Sequence, residues 1–229
     1  MTAESPKRIL VFGDSNSWGW TPREDQEPTV RLAKNVRWPG VLAKKLGPDY
    51  EIIEEALSAR TTNLDDPEED LPSEHLRGAT LNGARVLPAL IASHLPLDLV
   101  VIMLGTNDLK ARFNRTPGEV AQAAISLVHI IRDCQGGVFT IYPSPKVLLL
   151  APPPLGTTFR NPDMWVRARE KSLMLGAVFE SASTSANIPV FDTSEVIATD
   201  GPDGVHLTAD AHQKLGLAVA EKVRELIQP

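Results

Sequence analysis

Serine, asparagine, aspartate and histidine stand in this chain where apolar runs give way to polar turns. Gly13-Asp14-Ser15-Asn16 follows the apolar run at 8–12, and Leu57-Ser58-Ala59-Arg60 follows the run at 50–54. Gly105-Thr106-Asn107-Asp108 follows the run at 99–104, and Asp203-Gly204-Val205-His206 precedes the last amphipathic stretch. A serine hydroxyl is a poor nucleophile until an imidazole takes its proton, and that imidazole needs a carboxylate to fix its tautomer. Ser15, His206 and Asp203 are the candidates for these roles. The two residues between Asp203 and His206 let a turn bring the carboxylate to one ring nitrogen while the other faces Ser15. Acyl transfer also needs donors aimed at a developing oxyanion. The backbone N–H of Ser15 and the side-chain amide of Asn107 are natural donors, and the backbone N–H of Ala59 adds one from the second loop.

Each of these residues also has a plainer reading. Ser15 could be a helix N-cap, Asn107 an Asx-turn residue, Asp203 an ordinary turn aspartate and His206 a surface histidine. The other histidines fit the role of base less well. His94 and His129 fall in helical stretches, His75 in a charged loop, and His212 inside the last helix. Asp192 and Asp200 compete with Asp203 for the role of acid. Trp20, and with it Trp18, Phe159 and Trp165, could line an acyl or alcohol pocket, although large aromatics more often fill cores.

The elements that must position these groups follow from hydrophobic period. Apolar runs at 8–12, 50–54, 99–104, 146–151 and 188–192 predict five strands. The first, third and fourth are continuously apolar, as strands covered on both faces are, and only the second alternates. Helical spacing lies between them. It is clearest in Leu215, Ala218, Val219, Val223 and Leu226, which share one face of a helix N-capped by Thr208. Alternating strands and helices predict an α/β fold with a mostly parallel sheet covered on both sides, whose ligands bind beyond the carboxyl ends of the strands. The short proline run 152–154 stiffens the loop leaving the fourth strand. With no internal repeat or linker, residues 1–229 are expected to form one domain.

Composition narrows the function classes. The chain has 229 residues, 42% of them hydrophobic, with a formal net charge of -6. An acidic balance argues against nucleic acid or an anionic membrane surface as a partner and favours a small ligand. The single cysteine, Cys134, cannot form an intrachain disulfide, and no stretch approaches a membrane span, so a cytoplasmic location is expected. The first strand-end turn matches neither G-x-G-x-x-G nor G-x-x-x-x-G-K-[ST], which disfavours a nucleotide site. G-x-S-x-G is absent from the middle of the chain, which disfavours an α/β-hydrolase. A metal hydrolase using Asp200, Asp203, His206 and His212 lacks a dense ligand motif. A non-catalytic small-ligand-binding module is disfavoured because every catalytic role is filled.

Gly13-Asp14-Ser15, Gly105-Thr106-Asn107-Asp108 and Asp203-Gly204-Val205-His206, in this order, resemble three motif blocks of the SGNH, or GDSL, hydrolases. Trp18-Gly19-Trp20, the segment 57–67 and Leu95-Pro96-Leu97-Asp98 further resemble the bacterial arylesterase and acyltransferase branch. The resemblance implies a three-layer, flavodoxin-like α/β/α fold with five strands, a Ser15–His206–Asp203 triad, and an oxyanion hole of Ser15, Ala59 and Asn107. It also implies a small carboxylic ester as substrate, no metal or organic cofactor, and a homo-oligomer, with the loop from Pro152 to Trp165 contributing to contacts. Two departures stand out. Asn16 occupies the place where the family usually has leucine, which makes it, with Trp20, a candidate substrate-binding residue and bears on acyl-pocket polarity. The segment 68–79 is longer than that loop usually is. The sequence thus points to a serine esterase, with acyl transfer to alcohols as a further possibility and a carbohydrate acetylesterase as the alternative.

Overall fold

The computed structural model describes residues 5–25, 28–67, 76 and 78–228. Strands β1 (Lys7–Gly13), β2 (Tyr50–Ala56), β3 (Leu99–Met103), β4 (Lys146–Ala151) and β5 (Val190–Asp192) form one parallel sheet in the order β2-β1-β3-β4-β5. The helices are α1 (Ser15–Trp18), α2 (Trp38–Leu46), α3 (Gly83–His94), α4 (Pro117–Asp133), α5 (Ala168–Ser172), α6 (Leu175–Thr184) and α7 (Ala209–Leu226). Among the described residues no helix is long and apolar enough to cross a membrane. His75 and most of the segment 68–79 lie outside the described residues.

The continuously apolar strands are buried on both faces. Leu10, Phe12, Val100, Ile102, Val147 and Leu149 face α3, α4 and α6, while Ile9, Val11, Leu99, Val101, Leu148 and Leu150 face α2 and α7. Side chains alternate sides along a strand, so an unbroken apolar run feeds two cores at once. Helix α7 begins where the sequence places its cap, with Thr208 Oγ1 accepting the Ala211 N–H at 3.4 Å. Its residues Leu215, Val219 and Val223 are fully buried, and Ala218 and Leu226 pack partly buried beside them. β5 is shorter than expected. Pro189 has no N–H to give, so only its carbonyl joins the ladder, accepting the Leu149 N–H at 3.0 Å before paired residues begin at Val190.

The sheet order reverses between β1 and β3, and a ligand crevice forms at such a point. Gly13 pairs with Ala56 on one side and Met103 on the other, so β1, β2 and β3 end level. The loops bearing Ser15, Ala59 and Asn107 therefore leave the sheet side by side.

Candidate active site

Ser15 opens the four-residue helix α1 directly after β1. Asp14 caps this helix, its Oδ1 accepting the Asn16 N–H at 2.9 Å. Gly13 lets the helix fold back onto the strand end, because a Cβ there would lie 2.2 Å from Ser17 Oγ.

Opposite Ser15, the residues before α7 form a tight turn. Asp203 Oδ1 accepts the N–H groups of Val205 at 3.0 Å and His206 at 2.9 Å, while Asp203 Oδ2 lies 2.8 Å from His206 Nδ1. The other ring nitrogen, His206 Nε2, lies 2.9 Å from Ser15 Oγ. Hydrogen bonds therefore run from Asp203 through the imidazole to the serine, although the serine is 191 residues from the histidine. Burial works to raise the Asp203 carboxyl, but the bonds from the His206 ring and from the backbone outweigh it and hold its pKa below the ordinary aspartate value. An anionic Asp203 is the state that fixes Nδ1 as the protonated nitrogen. Gly204 permits the turn. It sits at φ +75, and a Cβ there would lie 2.0 Å from the Thr158 carbonyl oxygen.

The competing groups are engaged elsewhere. Asp192 Oδ1 accepts the Ser194 N–H at 2.9 Å, and Asp200 accepts the Thr208 N–H at 2.9 Å and its hydroxyl at 2.5 Å. His212 is buried in the first turns of α7, with Nδ1 accepting the Trp38 N–H at 3.2 Å. Among the described residues no three His, Cys, Asp or Glu side chains are grouped as metal ligands.

The proposed oxyanion donors sit on the three level strand ends. Ala59 is held at φ +66, a left-handed conformation that costs alanine roughly 1–2 kcal/mol. Neighbouring bonds hold that turn: Arg60 N–H to the Leu57 carbonyl at 3.2 Å, and Asn107 Nδ2 to the Arg60 carbonyl at 3.0 Å. The latter uses one N–H of the Asn107 amide and orients the other.

Trp20 stacks on the imidazole of His206, with ring centroids 5.0 Å apart and planes at 17°. Trp18 is tilted against Trp20, while Phe159 stacks on the buried Trp165. Asn16 departs from its expected place in an acyl pocket. Its side chain is buried and turned along the backbone, Nδ2 donating to the Val205 carbonyl at 3.1 Å and Oδ1 accepting the Leu207 N–H at 3.1 Å.

Charged residues that sequence reasoning passed over support these loops. Arg60 is buried under the Phe12 ring, its Nη1 donating to the carbonyls of Gly13 at 3.0 Å and Glu55 at 2.5 Å. Asp108 accepts the Thr62 N–H at 3.0 Å, the Thr62 hydroxyl and Arg115 Nη1 at 3.1 Å. Asp66 takes both Arg112 and Lys110. The available signal was a cluster of charges in strand-end loops, but the Asp66 and Asp108 pairings to other loops span 44 or 46 residues. Burial pushes the Asp14 carboxyl up to about 7; nearby Asp108 adds to the rise and Arg60 opposes it.

The profile of the GDSL-like Lipase/Acylhydrolase family matches residues 11–214, from β1 through His206 into α7. The chain belongs to this family. Among solved structures it is similar to the aryl esterase of M. smegmatis, at 49% identity and a TM-score of 0.90, over 96% of this chain and 100% of that one. It is also similar to a carbohydrate acetylesterase from Sinorhizobium meliloti, at 46% identity and a TM-score of 0.90, with the same coverage. Comparison with proteins of curated function gives no significant match. The three-layer α/β/α architecture is that of the SGNH hydrolases, as the sequence resemblance implied, and the chain is a hydrolase of this family.

Proposed function

We propose that this hydrolase cleaves small carboxylic esters through an acyl-enzyme on Ser15. The observation that carries the reading is the unbroken series Asp203–His206–Ser15, with contacts of 2.8 and 2.9 Å. Ser15 Oγ attacks the ester carbonyl while His206 Nε2 takes its proton, and Asp203 stabilises the imidazolium that forms. The oxygen of the tetrahedral intermediate gains charge and is met by the N–H groups of Ser15 and Ala59 and the free N–H of the Asn107 amide. His206 then hands its proton to the departing alcohol. Water, activated by the same imidazole, releases the acid and restores Ser15. An alcohol in place of water gives a new ester, so acyl transfer needs no additional machinery.

An aryl or short-chain acyl ester is the substrate class favoured by the 49% identity to an aryl esterase. The 46% identity to a carbohydrate acetylesterase supports acetylated sugar as the second reading. Ser15→Ala should abolish cleavage of p-nitrophenyl acetate with its melting temperature kept, and a serine-directed phosphonate should add mass to the Ser15 peptide. Activity in the alanine variant, or labelling at Ser17 or Ser58, would move the nucleophile. A panel of acyl lengths and acetylated sugars, with and without a competing alcohol, separates the substrate readings.

Self-association and a cytoplasmic location belong to the same proposal. The location rests on the single unpaired Cys134. In the loop from Pro152 to Trp165, Leu155 and Trp165 are buried while Thr157, Thr158, Asn161, Pro162 and Asp163 are exposed, so the contact it offers is mostly polar. Val138, Phe139 and Ile141, exposed on the connection between α4 and β4, are the better apolar contact. Light scattering should give a multiple of the 24.9 kDa chain mass.

A further inference from the structure

The base of the triad sits in irregular chain, between the turn at Asp203 and the start of α7. Asp203 fixes the ring and the N–H groups of Val205 and His206, but it lies in the same segment, so it cannot fix that segment relative to the nucleophile. Asn16 can. Its amide nitrogen donates to the carbonyl of Val205, and its amide oxygen accepts the N–H of Leu207. These are the peptide groups immediately before and after His206. A primary amide presents one donor and one acceptor side by side, and this segment presents the matching acceptor and donor.

We propose that Asn16 is the positioning residue for the catalytic base, a clamp that holds the His206 segment to the residue next to the nucleophile. This rests on the triad reading above. Asn16 follows Ser15 directly in α1, so one short helix carries both the attacking oxygen and the fixture that sets how far away its base stands. Val205 and Leu207 are themselves buried, one in each of the two cores, so releasing the clamp leaves a carbonyl and an N–H without partners in a dry place. Leucine fills a similar volume but offers neither bond. Aspartate retains the acceptor for Leu207 and sets a second acceptor against the Val205 carbonyl.

A double-mutant cycle between Asn16→Leu and His206→Ala tests the clamp. With p-nitrophenyl acetate, N16L should lower kcat roughly 10- to 100-fold with KM within about threefold, because only base alignment is lost. In the H206A background, where there is no base to align, N16L should change the residual rate less than about twofold. The rate of phosphonate labelling of Ser15 should fall in parallel with kcat. Wild-type kcat in N16L, or an equal fold-loss in both backgrounds, overturns the clamp. If the leucine variant lacks a cooperative melt, N16D goes through the same cycle and is read by the same criteria. Ser15→Ala and His206→Ala are measured alongside. Wild-type turnover in either rejects the triad itself, whereas inactivity in both with an unaffected N16L rejects only the clamp.

Discussion

The imidazole of His206 lies under the indole of Trp20, nearly parallel, with 5.0 Å between ring centroids. The face of an indole attracts a cation, and in the proposed mechanism His206 gains positive charge when it takes the proton of Ser15. The stack therefore favours the state in which the serine has attacked. Trp20→Ala should lower kcat by roughly 10-fold, worth about 1.4 kcal/mol, similarly for acetyl and butyryl esters. Trp20→Phe should recover most of that loss. A substrate-lining role would place the change in KM and make it depend on acyl length. Steady-state kinetics on both esters tells the two apart.

Asn107 is expected to act on the transition state. One N–H of its amide is held by the Arg60 carbonyl at 3.0 Å, and the other is available to the oxyanion. Asn107→Ala should lower kcat roughly 10²- to 10³-fold, about 3–4 kcal/mol, with little change in KM. Asn107→Asp should be at least as damaging, because a carboxylate has no donor and repels the oxyanion. Near-normal turnover with a lowered melting temperature in both variants would reduce Asn107 to a turn residue.

Two buried groups give the protein opposing dependences of stability on pH. The Asp14 carboxyl is raised from 3.8 to about 7, chiefly by burial. From about pH 4 to 7 the unfolded chain ionises it while the folded chain keeps it protonated, so stability is lost as pH rises, by on the order of 4 kcal/mol. Asp108, also raised by burial, acts in the same direction. His212 is lowered from 6.5 to about 4, again chiefly by burial. Its contribution, on the order of 3 kcal/mol, is present above pH 6.5 and lost as pH falls through about 4. Denaturant unfolding at pH 4.5 and 7.5 should show that Asp14→Asn gains stability relative to wild type at the higher pH. His212→Asn should gain relative to wild type at the lower pH. An Asp14→Asn variant with the wild-type difference between the two pH values would contradict the assignment.

Gly204→Ala should separate site geometry from the fold. An alanine Cβ would press on the Thr158 carbonyl and meet a left-handed φ of +75, both inside the turn joining Asp203 to His206. We expect a kcat loss above roughly 100-fold with a melting temperature lower by about 2–10 °C, for a cost of about 1–3 kcal/mol. Unchanged kcat would mean that the turn tolerates a shift without moving the imidazole.

Strand runs, the N-cap of α7 and the pairing of Asp203 with His206 were legible because each is local. A continuous apolar run, a Thr before an amphipathic stretch, and a carboxylate three residues before an imidazole are all short-range patterns. The contact between Ser15 and His206 was expected because a parallel sheet gathers its strand ends and because the order of the motif blocks resembles that of the SGNH hydrolases. Asn16 was misplaced for the complementary reason. Its place where the family usually has leucine suggested a pocket wall, whereas its partners Val205 and Leu207 are 189 and 191 residues away and are recognised through their backbone. Backbone partners leave no trace in side-chain identity. The Arg60, Asp66 and Asp108 networks escaped notice for a similar reason, since a buried charge in a loop looks like a solvated one until the fold closes over it.

The segment that carries the base immediately precedes α7, and α7 packs along α2 so closely that a Cβ on Gly216 would stand 2.7 Å from the Trp38 carbonyl. A ribosome delivers the nucleophile helix some 191 residues before the imidazole. On the proposed mechanism, until α7 has emerged and docked the nascent chain carries a serine without its base, and the hydroxyl is as inert as one in solution. On that mechanism hydrolytic power requires α7 to be docked, and turnover measured on a refolding sample counts the molecules in which it is.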